Sequence, residues 1–373
     1  MPTTAPTRGL FCLVLASVLV FAAAALSGCD AGDRDEVVLY SSVDTEYLRE
    51  VADAFRERHG VELIVVGDTE ATKTTGLMER VLAERTSPRA DVWWSSEPFA
   101  TIRLAEEGLL APFEPTLGED FAGEGWPAHL VGRNDAGEPI WYGSSLRSRV
   151  IVYSTTRVNE ADVPTTLHAL TDPRWRGRVG IARPQFGTTR GHVGALLESW
   201  GEEAFERWLT AMQANGVRVY QGNATVVRAI ADGEIDLALT DTDDVFAGQR
   251  NGWPVEMAPE PDEAALSAAR EAGFFGESMG AGLPMVFPNT GGLIVGGPNP
   301  EAARVLMDFL LSAEVEQLLA ETASRNRPVR PSAHAVTPGS APDGGLRPGA
   351  GFFERVADRI PEALRICERV LGL

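Results

Sequence analysis

The fold is decided by one stretch, VVLYSSVDTEYLREVADAFRERHGVELIVV, which occupies residues 37–66. Two β-favouring runs enclose a segment in which apolar residues recur at helical spacing: Leu48, Val51, Ala52 and Phe55. Asp44 stands at the expected N-cap and Gly60 at the expected C-cap, so we predict a helix over residues 45–59. A strand–helix–strand unit of this kind has parallel strands with the helix on one face of the sheet.

The same alternation of short strands and amphipathic helices continues along the chain. Further strands are expected at residues 91–94, 149–153, 179–181, 217–220, 235–239 and 293–295. Further helices are expected at residues 74–84, 192–200, 202–213, 224–231, 300–320 and 352–370. This order predicts an α/β fold with a parallel sheet and helices on its faces.

The first 28 residues have the pattern of a secretory signal. Arg8 precedes an almost wholly apolar run, and the run ends in LSGC at residues 26–29. A charged start, an apolar centre and small residues before a cleavage point are typical of such signals. The ending resembles a bacterial lipoprotein signal, which implies that Cys29 is lipidated and that residues 29–36 form a tether. An uncleaved membrane anchor is the alternative, because the apolar run just reaches spanning length.

Composition narrows the class of protein. The chain has 373 residues and a net charge of −20, with 53 acidic and 33 basic residues. The length suggests two domains. This acidity argues against a nucleic-acid partner, which requires a basic face, and it suits either cation attraction or simple solubility. With Cys12 removed and Cys29 lipidated, Cys367 is left alone, so no internal disulfide is expected.

Enzyme signatures are absent from the sequence. There is no Gly-x-Ser-x-Gly, no His-Glu-x-x-His, no P-loop and no Gly-x-Gly-x-x-Gly that opens a helix. None of the five histidines pairs with another at metal-ligand spacing. We therefore expect neither catalysis nor a catalytic cofactor.

An ordered set of short motifs runs from residue 37 to about residue 330. It comprises YSS at 40–42, ADVWWSSE at 90–97, EGLLAP at 107–112, RSRV at 147–150, LTDPRWRG at 170–177, PQFGTT at 184–189, PNT at 288–290, PEAA at 300–303 and LLSAEV at 310–315. Together these motifs resemble the ferric-iron branch of the periplasmic solute-binding proteins of ABC importers. The set as a whole is specific to the superfamily and less specific to the ligand.

This resemblance implies a two-lobed fold of the type II periplasmic-binding class, with a ligand cleft between the lobes. The implied first lobe comprises residues 37–143 and 283–330, the second lobe residues 144–282, and residues 331–373 form a C-terminal extension with a terminal helix. Ligands of open parallel sheets bind beyond the carboxyl ends of strands. The loops after Tyr40, Trp94, Tyr153 and Leu239 are therefore the expected ligand-binding places.

The resemblance also implies a set of ligand residues. In the family, iron is held by a tyrosine pair with acids or histidine, often with a synergistic anion. Here Asp243 and Asp244 align with the tyrosine pair, Asp44 with the first-loop ligand and Glu97 with the family's glutamate. Together with Asp241, these acids would repel one another unless a cation lay between them. Hard cations such as Fe(III), Ca(II), Mg(II) or Mn(II) take such oxygen ligands, and a cationic amine is a further possibility.

Polar groups that suit an anion accompany these acids. Candidate ligand- or anion-binding residues are Ser41, Ser42, Ser145, Ser148, Thr188 and Asn223. Arg147, Arg149 and Arg190 are close to several of them in the sequence. The alternative interpretation is structural: helix caps for the aspartates, and turn chemistry or hinge ion pairs for the rest.

The sequence thus predicts a monomeric, lipid-anchored, extracytoplasmic binding protein that delivers iron(III) or a related hard metal cation to the permease and ATPase subunits of an ABC importer. The missing tyrosine pair leaves open a divalent cation, an amine or a phosphonate-like anion. An enzyme or sensor built on the same lobes is disfavoured by the missing catalytic motifs.

Overall fold

The computed structural model of the chain describes Met1 and residues 36–68, 74–116, 118–121, 125–276, 280, 282, 285–335 and 351–373. Apart from Met1, the predicted signal lies outside these residues, as do Cys29 and most of the tether. Within the described part of the chain, no helix combines the length and the apolar character needed to cross a bilayer.

The described strands join in one mixed sheet. They are β1 Glu36–Ser41, β2 Glu62–Gly67, β3 Val92–Ser95, β4 Leu110–Ala111, β5 Val131–Arg133, β6 Pro139–Ser154, β7 Val179–Ala182, β8 Arg218–Tyr220, β9 Leu237–Asp241, β10 Val255–Met257 and β11 Met285–Ile294. The order is β2-β1-β3-β11-β6-β9-β7-β8, and β4, β5 and β10 pair at the sides. We call β2, β1 and β3 the first sheet half, and β9, β7 and β8 the second sheet half.

Helices connect these strands and cover the sheet. They are α1 Thr45–His59, α2 Thr75–Ala83, α3 Pro98–Glu106, α4 Gly187–Trp200, α5 Glu202–Ala214, α6 Asn223–Ala231, α7 Thr242–Arg250, α8 Glu263–Glu271, α9 Pro300–Leu310, α10 Ala313–Glu321, α11 Pro331–Ala335 and α12 Phe352–Leu371. Helix α1 has the predicted bounds, and Gly60 ends it in the left-handed conformation. Its apolar positions Leu48, Val51 and Phe55 are buried, as the pattern predicted.

The predicted α/β class is confirmed, but two features differ from the prediction. Strands within each sheet half are parallel, whereas β11 and β6 run antiparallel to their neighbours. The single helix expected over residues 300–320 is two helices, because Ser312 accepts a hydrogen bond from the backbone N–H of Val315 and so caps a new one.

Two long strands, β6 and β11, connect the sheet halves. The 16-residue β6 pairs with β11 and β5 along its first part and with β9 and β10 along its last part. The pairing of β6 with β11 shifts register at Pro288/Asn289. These strands lie where the sequence predicts the chain to cross between lobes; the lobe boundaries themselves stay a prediction.

The C-terminal helix α12 is part of the packed core. Phe352, Phe353, Val356 and Ile360 are each at most 2% exposed. The ring of Phe353 lies 6.2 Å from that of Phe99 on α3, and Gly194 on α4 faces Ile360 so closely that a Cβ atom there would lie 2.7 Å from it. Helix α12 thus packs against helices associated with both sheet halves.

His192 is a buried histidine in the middle of α4. It is 1% exposed, and its Nε2 lies 3.0 Å from the carbonyl oxygen of Gly282, which suits a neutral ring that donates from Nε2. Burial, with a smaller contribution from the positive charge of Arg149, lowers the pKa of His192 to about 3, although the hydrogen bond to Gly282 and the charge of Asp241 oppose the shift. The histidine therefore stays uncharged in the folded protein at moderately acidic pH.

We predict a pH dependence from this burial. Between about pH 6.5 and pH 3 the unfolded chain binds a proton at His192 that the folded chain does not, so acid destabilises the fold. Between pH 6 and pH 4, His192 should contribute a loss of about 2–3 kcal/mol, and His192→Gln should remove that loss. Denaturant unfolding at both pH values measures it, with the exposed His334→Gln as control. An unchanged pH slope in His192→Gln would contradict this assignment.

Candidate functional site

A polar pocket lies where the carboxyl ends of the parallel strands of the two sheet halves face each other across β11 and β6. Asp44 and Ser96 reach it from the loops after β1 and β3 in the first sheet half. The second sheet half contributes residues that follow β7, β8 and β9, among them Arg183, Thr188, Thr189, Asn223, Asp241 and Asp244. The side chain of Arg147 reaches the pocket from β6. The pocket therefore collects groups from both halves, as expected for an α/β sheet.

Asp241, the last residue of β9, is held in a buried hydrogen-bond network. Its Oδ1 lies 3.0 Å from Nη1 of Arg149, a side chain with no exposed surface. Its Oδ2 accepts from Asn223 Nδ2 at 2.9 Å and from the Thr188 hydroxyl. Asn223 closes the network, because its Oδ1 accepts from the same Arg149 nitrogen at 2.9 Å. A buried carboxylate is stable only when it is paired and hydrogen-bonded in this way.

Asp243 has an arginine partner of its own. Its Oδ2 lies 2.8 Å from Nη1 of Arg147, and both side chains are 5% exposed. Arg147 also donates from Nη2 to Oδ1 of Asn289 on β11 at 2.6 Å. Burial lowers the pKa of the Arg147 guanidinium, but Asp243 and the neighbouring carboxylates raise it by more, so the net shift is upward. Arg147 is therefore a permanent positive charge.

Asp244 completes a group of three carboxylates in which one oxygen from each of Asp241, Asp243 and Asp244 lies within 4.8 Å of the others. Asp244 is half-buried, and its Oδ2 accepts from Thr240 Oγ1 at 3.4 Å. Asp243 and Asp244 lie in the first turn of α7, where the helix dipole favours negative charge. The group can thus present carboxylate oxygens on one side while arginines balance it on the other.

Tyr47 adds an aromatic hydroxyl near these acids. It is 6% exposed on the first turn of α1, and its pKa is raised by burial and then by the charges of Asp243, Asp44 and Asp244. From the sequence, Tyr47 is expected only to lie in the helix that follows Asp44, and it has no predicted role at the site. Its ring is consequently a neutral neighbour of the carboxylate group.

Glu97 lies beside the pocket as a helix cap. Its carboxylate accepts from the backbone N–H groups of Phe99 at 2.7 Å and Ala100 at 3.1 Å, at the start of α3. Burial raises its pKa, while Arg190, these two N–H groups and Arg147 oppose the increase. The structure therefore gives Glu97 a capping function, and its expected metal-ligand role stays a prediction.

Asp44 is positioned differently from Glu97. It occupies the N-cap position of α1 without a side-chain capping hydrogen bond, and it lines the pocket. Its side chain is half-buried on the side of the pocket that belongs to the first sheet half. The cap interpretation is therefore weaker for Asp44 than for Glu97.

The four predicted serines are buried but lie outside the pocket lining. Ser42 Oγ accepts from the backbone N–H of Ser96 at 3.1 Å, and Ser41 Oγ accepts from that of Val43 at 3.2 Å. The backbone N–H of Ser148 donates to Thr242 Oγ1 at 3.2 Å. Ser145 has a left-handed backbone and forms a bulge in β6. Their predicted ligand roles remain predictions, while Thr188 and Asn223 do line the pocket.

The expected loops are largely in place. Those after Tyr40, Trp94 and Leu239 reach the pocket, whereas the loop after Tyr153 does not. The reason is direction: β6 is antiparallel to β9, so Tyr153 pairs with Leu237 at the opposite end of β9 from Asp241. The loops after β7 and β8 were not among the expected places, although Thr188 and Asn223 beyond them were named as candidates; both strands are parallel to β9 or its neighbour, so the same strand-end rule applies to them.

Comparison with known proteins identifies the family of the chain. The sequence profile of the family described as "Bacterial extracellular solute-binding protein" matches residues 37–322. Iron uptake protein A1 of Synechocystis is 28% identical over 292 residues, which are 78% of this chain and 75% of that one. The major ferric iron-binding protein of Neisseria meningitidis is 30% identical over 217 residues, which are 58% of this chain and 61% of that protein.

A solved structure extends the likeness to the whole fold. Iron-bound HitA from Pseudomonas aeruginosa superposes with a TM-score of 0.69 at 26% identity, and the alignment covers 91% of this chain and 99% of HitA. The expected type II periplasmic-binding fold is thereby confirmed. The chain belongs to the family of bacterial extracellular solute-binding proteins.

Proposed function

We propose that the protein is the substrate-binding component of an ABC importer and that its cargo is iron(III) or a related hard metal cation. One observation carries the proposal: three carboxylate oxygens, from Asp241, Asp243 and Asp244, lie within 4.8 Å of one another beside a pocket at the strand ends. Carboxylate oxygens are the ligands that hard cations prefer. The iron-binding relatives support the same cargo class.

The arginine pairs explain how such a site persists without cargo. Arg147 and Arg149 neutralise Asp243 and Asp241, so the group folds without the full repulsion of its charges. Asp44 and Asp244 line the pocket from opposite sheet halves. A cation held between them would join the two halves.

A second candidate is an oxyanion or a zwitterion, and the arginines favour it. Arg149 has Nε and Nη2 buried without a hydrogen-bond partner among the described residues, and the same is true of Arg147 Nε. Buried guanidinium donors suit phosphate-like or carboxylate groups. If the cargo is an oxyanion, loss of an acidic charge in the pocket should strengthen its binding, whereas the same loss should weaken the binding of a cation.

Export, anchoring and partners complete the proposal. Cleavage before Cys29 and lipidation of that residue would hold the mature chain at the outer face of a membrane, as a monomer close to the permease and ATPase subunits. The protein would act by binding alone, without catalysis or a catalytic cofactor. The named relatives, which are binding proteins, support this role.

The Asp244→Asn variant separates the two cargo classes. If the cargo is a cation, loss of this charge should weaken binding of iron(III), supplied as its citrate complex, by about one to three orders of magnitude. Stability without cargo should change by less than about 1 kcal/mol, because Asp244 is half-buried and the lost helix-dipole interaction offsets relieved repulsion.

Titration calorimetry with iron(III) citrate and, separately, inorganic phosphate measures these affinities. Asp135→Asn, at an exposed turn position, is the matched control. Unchanged iron affinity together with tighter phosphate binding in Asp244→Asn would support the oxyanion candidate and refute the cation.

The lipid anchor has a separate test. Cys29→Ser removes the thiol that lipidation requires, so the variant should leave the membrane fraction or stay unprocessed. Cell fractionation detects release from the membrane, and the mass of the protein shows whether the signal has been removed. Cys367→Ser is the control that leaves the signal intact. A Cys29→Ser protein that remained lipidated and membrane-bound would refute this anchor.

A further inference from the structure

Glu316 is a fully buried carboxylate outside the pocket. It lies on α10 with no exposed surface, and it accepts three backbone hydrogen bonds. Its Oε1 accepts from Ser145 and from Val329, each at 2.9 Å, and its Oε2 accepts from Arg330 at 2.7 Å. A carboxylate buried this deeply is tolerated only because these donors satisfy it, so it fixes the segments that supply them.

The most unusual of these segments is the bulge at Ser145. Leu146 pairs with Pro288 and Ser144 with Asn289, so Ser145 has no partner on β11. Its φ is +48°, a left-handed conformation that costs a non-glycine residue about 1–2 kcal/mol. The N–H released from the ladder donates to Glu316 instead. Glu316 therefore offsets the cost of the bulge.

The bulge determines which face the next residues of β6 occupy. Side chains alternate along a strand, so one inserted residue moves every following side chain to the other face. Arg147 and Arg149 follow the bulge by two and four residues, and they meet Asp243 and Asp241. Without the bulge, β6 would direct the side chains of Arg147 and Arg149 to the other face of the sheet, away from Asp243 and Asp241.

A second contact holds the same point of the strand. Leu146 and Arg327 exchange backbone hydrogen bonds of 2.7 Å in both directions. Arg327 is followed closely by Val329 and Arg330, whose N–H groups donate to Glu316. The bulge is thus fixed between β11 on one side and the segment after α10 on the other.

We propose that Glu316 is a positioning residue of the ligand pocket: by accepting the N–H of Ser145 it maintains the bulge that aims Arg147 at Asp243. This inference concerns the arginine geometry and holds for either cargo class. Glu316, which does not line the pocket, would thus affect the charge balance of the carboxylate group through Ser145 and Arg147.

The test measures Arg147 directly. In Glu316→Gln one acceptor oxygen becomes an NH₂ group, which cannot satisfy all three backbone donors. Hydrogen exchange of the Arg147 Nη–H groups, which donate to Asp243 and Asn289, should accelerate about tenfold or more when followed by nitrogen-15 NMR. Glu321→Gln, in the exposed last turn of the same helix, should leave it unchanged. A folded Glu316→Gln protein with unaltered Arg147 exchange would overturn the proposal.

Substitutions at Ser145 alter the bulge while leaving Glu316 unchanged. Glycine accepts a positive φ, so Ser145→Gly should keep the Arg147 exchange rate of the natural chain. Valine resists that conformation, so Ser145→Val should accelerate exchange as Glu316→Gln does. These variants decide the matter if Glu316→Gln does not fold: equal Arg147 exchange in Ser145→Gly and Ser145→Val would refute the mechanism.

A binding cycle separates positioning from general destabilisation. Glu316→Gln should change the affinity for iron(III) citrate about tenfold in the natural chain and cause no further change in an Arg147→Met background. Additive changes would show that Glu316 acts independently of Arg147 and overturn the proposal. A natural chain that fails to bind iron(III) citrate would refute the proposed cargo, while the exchange measurements would still decide the role of Glu316.

Discussion

Three carboxylates can share a buried site only if positive charge balances them, and β6 supplies that charge. Arg147 and Arg149 project from this strand onto Asp243 and Asp241 at 2.8 and 3.0 Å. The strand also connects the two sheet halves, so the charge balance and the chain crossing depend on the same residues. The pocket therefore combines opposite requirements, since its acids suit a cation while its arginines make the site stable without one.

This arrangement differs from a simple cluster of repelling acids. Carboxylates without arginine partners would need a bound cation to reduce their mutual repulsion in the folded state. Carboxylates that are paired with arginines are already neutralised. Cargo then competes with the guanidinium groups or binds beside them. Asp44 and Asp244 line the pocket from the two sheet halves, and Arg147 and Asp241 of the buried pairs line it beside them.

Sequence reasoning located much of this site. The rule that ligands gather at the carboxyl ends of parallel strands placed Asp44, Asp241 and Asp244 at strand ends, and all three line the pocket. It failed for Tyr153, because nothing local shows that β6 is antiparallel to β9. The pairing of Arg147 with Asp243 depends on a bulge at Ser145, and serine carries no signal for a positive φ, unlike glycine or asparagine. The break between α9 and α10, by contrast, has a local signal in the capping residue Ser312.

The carboxylate group beside the strand ends is proposed to bind a hard metal cation. Elemental analysis of the mature protein, purified from its membrane without chelators, is the most direct test. About one iron atom, or one other hard metal cation, is expected per chain, and it should be lost when the carboxylates are neutralised. A metal-free protein that retains a phosphorus-containing ligand would contradict this proposal.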